Sequence, residues 1–205
     1  MIALGDSHIK MFSGLIDNII SVPGATALGL AHPKSKTGAR ETFINALKNS
    51  REPQIFCLGE VDCNALVWRR RQHLKTFVNK ATDNYLNFIA DFSSLPVICS
   101  VPLPPVESYQ LPPYSNRKIK NRGRIKADKR LRTMVVKMFN LRLQKFSSLF
   151  NYYFIDLTKY TANSGGTLNM YYAKNAADSH LNHLRLQSIL EPEIEQAEAF
   201  HHYIK

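Results

Sequence analysis

Short apolar runs alternate with longer amphipathic stretches along most of this 205-residue chain, and this alternation constrains its fold more than any other feature. The runs occur at residues 2–4 and in the segments GATALGL, PQIFCLG, LPVICSV and NYYFIDLT. Between them apolar residues recur with helical spacing, for example over residues 11–20 and 74–89. Strands that alternate with helices are typical of a parallel sheet covered by helices on both faces. The sequence therefore predicts an α/β fold, a three-layer α/β/α sandwich with a central parallel five-stranded sheet.

The length favours one domain, because 205 residues can form one sizeable core but hardly two. We expect a single domain over residues 1–205, with a proline-rich and basic insertion at about residues 102–127. No apolar run approaches the roughly 20 residues that cross a bilayer, and the start lacks the features of a signal peptide. The expectation is a soluble, cytoplasmic protein.

The charge balance is strongly basic, with 27 Lys and Arg against 16 Asp and Glu, a net charge of +11. Basic residues dominate residues 117–145, and a second group, RRR, occupies residues 69–71. Such runs fit a solvated helix face, and they also fit an anionic partner such as an acidic glycan or nucleic acid. No recognised nucleic-acid motif accompanies the charge.

The three cysteines lack the spacing of a zinc site, and two of them fall in predicted core strands. Cys57, Cys63 and Cys99 are therefore predicted to be small buried hydrophobes. The sequence gives no reason to expect a metal.

Ser7 follows the first apolar run and a Gly-Asp pair, so it should lie where a strand passes into a helix. A serine hydroxyl becomes a nucleophile only when a base, usually an imidazole, removes its proton. His180 lies in a predicted loop before the last helix, and Asp178 could fix its tautomer. Each residue also has a structural alternative: Ser7 and Asp178 are suitable helix caps, and His180 is one of seven histidines.

In combination and order, these residues resemble the four sequence blocks of the SGNH, or GDSL-type, hydrolases. The matching segments are GDSH, a glycine after the second predicted strand, GEVDC after the third, and DSHLN before the last helix. The family comprises flavodoxin-like α/β/α serine esterases, lipases and glycan deacetylases, with some acyltransferases. Two segments, PGATALGLAHPKSKTGAR and LGEVDCNALVWRRR, look most like a bacterial branch associated with polysaccharide or capsule genes.

The resemblance implies a role for each matching residue. Ser7 would be the nucleophile, and its backbone N–H would be one oxyanion donor. Gly29, with Gly24 as the second choice, would match the glycine of the second block. His180 would be the base and Asp178 the orienting acid, although the family usually places this acid three residues before the histidine rather than two. No cofactor is implied.

The third block departs from the family pattern, because valine stands where the family has an asparagine that donates to the oxyanion. Losing one such donor costs on the order of 3 kcal/mol of transition-state stabilisation. Asn64, a backbone N–H or a loop donor could replace it; otherwise the chain is a slow enzyme or no longer an enzyme.

Four further residues are candidates for contacts with a substrate. Glu60 is expected at the mouth of the site, where it binds substrate hydroxyls or pairs with an arginine. Asp62 either contacts substrate or holds a turn through loop amides. Trp68 either stacks on a sugar ring or packs in the core. Tyr109 belongs to the proline-rich loop, which has the length of a lid or binding loop. Asp6 is expected to anchor the turn before Ser7.

Two functions follow. The first is a serine esterase, acyl hydrolase or O-acyltransferase that acts on an acyl ester, with a carbohydrate as the expected carrier, through an acyl-enzyme on Ser7. The second is a catalytically weakened module that binds an anionic polymer, an acidic glycan or nucleic acid. The oligomeric state is open.

Overall fold

The computed structural model describes residues 1–48, 50–69, 73–105, 127–175 and 178–204. Its centre is one parallel sheet of five strands in the order β2-β1-β3-β4-β5. The strands are β1 (Ile2–Gly5), β2 (Asn18–Ser21), β3 (Gln54–Cys57), β4 (Pro96–Cys99) and β5 (Tyr153–Ile155). The predicted five-stranded parallel sheet is confirmed.

Helices cover both faces of the sheet. The α-helices are α1 (Ala39–Leu47), α2 (Val67–Arg69), α3 (Leu74–Phe92), α4 (Lys129–Phe150), α5 (Leu157–Thr161) and α6 (His183–Ile204). Short 3₁₀ helices occupy Ser7–Phe12, Leu28–Ala31 and Met170–Tyr172, and a π-helical turn, Asp62–Leu66, leads into α2. Helix α3 packs against α4, whereas α6 packs against the 3₁₀ helix that begins at Ser7. The predicted three-layer α/β/α fold is therefore confirmed.

The second strand lies earlier in the chain than the sequence indicates. We predicted a helix over residues 11–20 and a strand in GATALGL, but β2 occupies Asn18–Ser21 and pairs with β1. Pro23 and Gly24 then form a tight turn, since the Ala25 N–H donates to the Val22 carbonyl at 3.0 Å and Gly24 has a φ of 77°. The apolar segment that follows forms the Leu28–Ala31 helix instead of a strand.

The spacing of the apolar residues in α4 predicts that Met134 and Val135 face inward, and the structure differs in part. Val135 is buried as predicted, but Met134 is 43% exposed, and the core contacts come from Val136, Phe139 and Leu143. Arg132, one of the basic residues of this helix, is only 1% exposed. Two of its guanidinium nitrogens donate to carbonyl oxygens, Nε to Ala127 at 3.0 Å and Nη1 to Asn64.

The remaining predictions on the fold have mixed outcomes. Pro192 in the last helix predicts an interruption, but helix α6 runs through it. The three cysteines are buried, as predicted. No helix within the described residues is both long and apolar enough to span a membrane. Most of the proline-rich insertion, residues 106–126, lies outside the described residues, and so does Tyr109.

Candidate active site

The turn after β1 is held by close packing and by one carboxylate. A Cβ on Gly5 would lie 2.2 Å from the Cys57 carbonyl oxygen, so only glycine lets β1 approach β3 this closely. Asp6 then caps the 3₁₀ helix, and its Oδ1 accepts the His8 backbone N–H at 2.8 Å. This is the anchoring function expected for Asp6, and it fixes Ser7 at the carboxyl edge of the sheet.

Ser7, His180 and Asp178 form a continuous hydrogen-bonded series. His180 Nδ1 lies 2.5 Å from Asp178 Oδ1, and His180 Nε2 lies 2.9 Å from Ser7 Oγ. A carboxylate can only accept, so Nδ1 carries the proton and Nε2 is left to accept from the Ser7 hydroxyl. This is the arrangement that prepares a serine for nucleophilic attack. The two predicted partners meet across a separation of 173 residues.

The short spacing between Asp178 and His180 is accommodated by a local turn. Asp178 Oδ1 accepts the His180 backbone N–H at 3.0 Å as well as the ring N–H, so one oxygen holds both. Lys174 Nζ lies 3.3 Å from the other oxygen. Partial burial would raise the pKa of Asp178, but the hydrogen bonds from His180 and Lys174 hold that pKa below its usual value. The acid is therefore a carboxylate throughout the neutral range.

A cleft of about 440 Å³ opens directly onto Ser7 and His180. Its other lining residues include Lys10, Met11, Lys174 and His183. No carboxylate of the described residues lines this cleft. The cleft leaves Ser7 and His180 accessible from outside. The charged side chains that line it are the lysines, Lys10 and Lys174.

His8 lies beneath the cleft and was not singled out from the sequence. Its ring stacks on the His180 ring, with centroids 4.4 Å apart and planes at 16°. Burial works against a charge on this ring, but the carboxylates of Glu60 and Asp6 outweigh that effect and raise the pKa of His8 to about 9. A histidine directly after the candidate nucleophile, two residues from an aspartate, was the signal that could have identified it.

The predicted oxyanion donors other than Ser7 are not gathered in the cleft. The Gly29 N–H already donates to Thr26, to its carbonyl at 3.1 Å and its hydroxyl at 2.9 Å. The Asn64 amide is buried and donates to Glu60 Oε1 at 3.3 Å. The Ser7 N–H, in contrast, has no hydrogen-bond partner among the described residues.

Two of the predicted substrate contacts, Glu60 and Trp68, have structural contacts instead. Glu60, expected at the mouth, is only 3% exposed and lies 4.0 Å from His8 Nδ1. Trp68 donates its indole N–H to the Cys63 carbonyl at 2.8 Å, which agrees with the structural alternative. Neither residue lines the cleft.

Asp62 also has a structural function: of its two predicted functions, contact with substrate or holding a turn through loop amides, the structure shows the second. Its carboxylate accepts the backbone N–H groups of Ala27 and Leu28 at 2.7 and 3.1 Å. Burial raises the pKa of Asp62 to about 7, although the two N–H donors act in the opposite direction. Asp62 therefore ties the segment after β2 to the segment after β3.

Metal binding has no structural support in the part of the chain that is described. Within these residues, no group of three or more His, Cys, Asp or Glu side chains is placed to hold a metal ion.

Comparison of the sequence with protein-family models and with curated proteins gave no match. Comparison of the fold with solved structures gave several matches. A carbohydrate acetylesterase from Sinorhizobium meliloti aligns with a TM-score of 0.56 at 11% identity, over 95% of this chain and 97% of that one. A GDSL-like lipase from Bacteroides thetaiotaomicron aligns with a TM-score of 0.55 at 13% identity, over 97% and 86%.

An acetyl xylan esterase is similar to the same extent, with a TM-score of 0.54 at 15% identity over 96% of this chain and 98% of that one. At such low identity these likenesses establish the fold and not the activity. The chain therefore has the fold of SGNH and GDSL-type hydrolases over almost its whole length.

Proposed function

We propose that this protein is a serine esterase, with Ser7 as nucleophile, His180 as general base and Asp178 as orienting acid. The observation that carries the proposal is the series of two hydrogen bonds, 2.9 Å from Ser7 to His180 and 2.5 Å from His180 to Asp178, at an open cleft. A serine that is merely a helix cap has no need of an imidazole in line with a carboxylate.

The reaction proceeds through an acyl-enzyme. Ser7 Oγ attacks the carbonyl carbon of the ester while its proton passes to His180 Nε2, and Asp178 stabilises the resulting imidazolium. The imidazolium then gives that proton to the departing alcohol oxygen as the C–O bond breaks. Water enters, loses a proton to His180 and attacks the acyl carbon, and the proton returns to Ser7 Oγ as the acid is released. An acceptor hydroxyl in place of water would give acyl transfer by the same steps.

The backbone N–H of Ser7 is the proposed first donor to the oxyanion, since it has no other partner among the described residues. For the second donor we favour Gly24 over Gly29. The turn that contains Gly24 adjoins the nucleophile turn, because the Val22 N–H donates to the Gly5 carbonyl at 2.9 Å and the Ser21 hydroxyl donates to the Asp6 carbonyl at 3.2 Å.

The proposed substrate is an acyl ester on a carbohydrate. Support comes from the fold likeness to a carbohydrate acetylesterase and to an acetyl xylan esterase. Lysine and histidine side chains that line the cleft can also donate hydrogen bonds to sugar hydroxyls. Membership of the branch associated with polysaccharide genes stays a prediction.

The test is labelling and turnover with matched serine variants. The wild-type protein should hydrolyse p-nitrophenyl acetate and react with a fluorophosphonate probe, whereas Ser7→Ala should lose both and His180→Ala should lose most of the turnover. Ser13→Ala is the control, because Ser13 ends the same short helix but has no hydrogen bond to an imidazole among the described residues. Labelling that persists in Ser7→Ala would refute the assignment of the nucleophile.

The alternative function, binding of an anionic polymer, has a different surface in its favour. A groove of about 500 Å³ runs along α4 beside residues 165–167, and its lining includes Arg130, Lys137 and the exposed Met134. If this groove binds an acidic polysaccharide or DNA, affinity should fall steeply with salt and with Lys137→Glu, and Ser7→Ala should not change it. Binding that ignores salt would exclude this alternative.

A further inference from the structure

His8 has a hydrogen-bond acceptor at each of its two ring nitrogens. Nδ1 lies 3.0 Å from Asp6 Oδ1, and Nε2 lies 3.0 Å from the backbone carbonyl of Ser179. A carboxylate and a carbonyl oxygen can only accept, and a neutral imidazole has only one N–H. Both contacts are hydrogen bonds only when the ring carries two protons, so the geometry requires an imidazolium.

The surroundings of His8 supply the counter-charge that a buried imidazolium needs. The ring is 4% exposed, and the facing titratable groups are Asp6 at the end of β1, Glu60 after β3 and His180 before α6. Asp6 and Glu60 are themselves almost fully buried. A buried charge is tolerated when it is paired and hydrogen-bonded, and His8 is both.

His8 also touches the candidate base in two ways. Its Nε2–H holds the carbonyl of Ser179, the residue directly before His180, and its ring lies parallel to the His180 ring at 4.4 Å. The first contact fixes the backbone that carries the base. The second places a positive charge against the face of the base, where a second positive charge is unfavourable.

We propose that His8 is a positioning residue for the reaction: a buried imidazolium that holds the backbone of the His180 segment and stacks on the His180 ring, so that His180 Nε2 stays directed at Ser7 Oγ. The proposal rests on the proposed function, because it assigns His8 a part in the work of His180. Asp178 accepts the His180 Nδ1–H, so the base is held by its ring as well as by its backbone.

The charge state of His8 can be measured without any turnover. In ¹⁵N-labelled Ser7→Ala protein, both ring nitrogens of His8 should show the chemical shifts of protonated nitrogens from about pH 6 to about pH 8. A spectrum with one protonated and one unprotonated nitrogen at neutral pH would overturn the proposal. This result does not depend on whether the protein is an esterase, so it separates the two proposals.

The effect on the His180 segment is read from ester hydrolysis by paired variants. His8→Leu cannot donate to the Ser179 carbonyl and should lower kcat at least about tenfold with little change in KM, whereas His8→Gln can still donate to it and should recover most of that loss. His202→Gln, an exposed change near the end of α6, is the matched control and should leave kcat unchanged. Equal losses in His8→Leu and His8→Gln would show that this hydrogen bond does not position the base and would also overturn the proposal.

Discussion

Gly5 determines how closely β1 and β3 approach beneath the candidate nucleophile. It is the last residue of β1, and the position of its absent Cβ is 2.2 Å from the Cys57 backbone oxygen. Any side chain there would have to push two central strands apart, because a backbone oxygen cannot rotate away. The nucleophile turn therefore depends on the sheet as much as on its own hydrogen bonds.

We expect Gly5→Ala to lower the free energy of unfolding by about 3 kcal/mol, the cost of overpacking between two strands. Urea denaturation followed by circular dichroism would measure it. Gly38→Ala is the control: its φ is 64°, and nothing lies within 4 Å of the Cβ position, so backbone strain alone should cost about 1 kcal/mol. Equal losses in the two variants would contradict the packing argument.

Asp178 can be tested with an almost isosteric change. In Asp178→Asn the Oδ1 atom can still accept the His180 backbone N–H, so the turn should persist, but the negative charge that favours the His180 imidazolium is lost. We expect kcat for p-nitrophenyl acetate to fall by about 10² to 10⁴ at neutral pH with stability almost unchanged. An unchanged kcat would show that Asp178 only shapes the loop.

His8 should also make stability depend on pH. Its pKa is about 9 in the fold against 6.5 for an ordinary histidine. A raised pKa contributes stability that is fully present below about pH 6.5 and is lost as the pH rises through about 9. The contribution is about 3 kcal/mol. Urea denaturation from pH 6.5 to 9 should show this decline in the wild-type protein and not in His8→Gln; parallel declines would contradict it.

At the level of single residues, local motifs predicted which side chains are in contact better than they predicted how deeply a side chain is buried. Ser7, His180 and Asp178 belong to two short segments whose spacing is legible in the sequence, and the structure brings them together. The sequence predicts Glu60 at the mouth because it follows the third predicted strand, at the carboxyl edge of the sheet. Its burial depends on His8, which comes from a distant segment, so no local pattern could reveal it.

At the level of elements, the sequence predicted those that are buried or long. Strands β3 and β4 are apolar and covered on both faces, and α3 carries one apolar stripe, so each has a distinct pattern. Strand β2 lies at the edge of the sheet and is only partly buried, so it lacks that pattern. The sequence pattern therefore places Ile19 and Ile20 in the apolar stripe of a predicted helix, although they belong to β2.

Helix α6 gives a test at the same level, because its proline has no visible benefit. Pro192 is exposed and lies inside the helix, where it cannot donate to the carbonyl one turn earlier. Pro192→Ala should raise the free energy of unfolding by about 1 kcal/mol or more, since alanine restores that hydrogen bond. Calorimetry would show a higher Tm. A lower Tm would mean that the proline shapes α6 for its packing against the Ser7–Phe12 helix.

On the scale of the whole molecule, the excess of positive charge should attract a negatively charged substrate. The net charge is +11, and Lys10, Lys174 and His183 line the cleft at Ser7, with no carboxylate of the described residues beside them in the lining. Lys174 is paired with Asp178 at 3.3 Å, whereas Lys10 has no salt bridge among the described residues. Lys10 is therefore the group best placed to attract a negative charge on the substrate.

This field predicts a preference between two esters that differ only in charge. The value of kcat/KM should be several-fold higher for 4-acetoxybenzoate than for phenyl acetate at about 20 mM salt, and the advantage should shrink at about 500 mM, where charges are screened beyond about 4 Å. Lys10→Glu should remove most of the advantage while phenyl acetate hydrolysis changes less than about twofold, because one exposed charge acts mainly on the charged ester. If salt and Lys10→Glu affect both esters alike, the positive charge of the chain serves another surface, and the groove along α4 becomes the place to look for its partner.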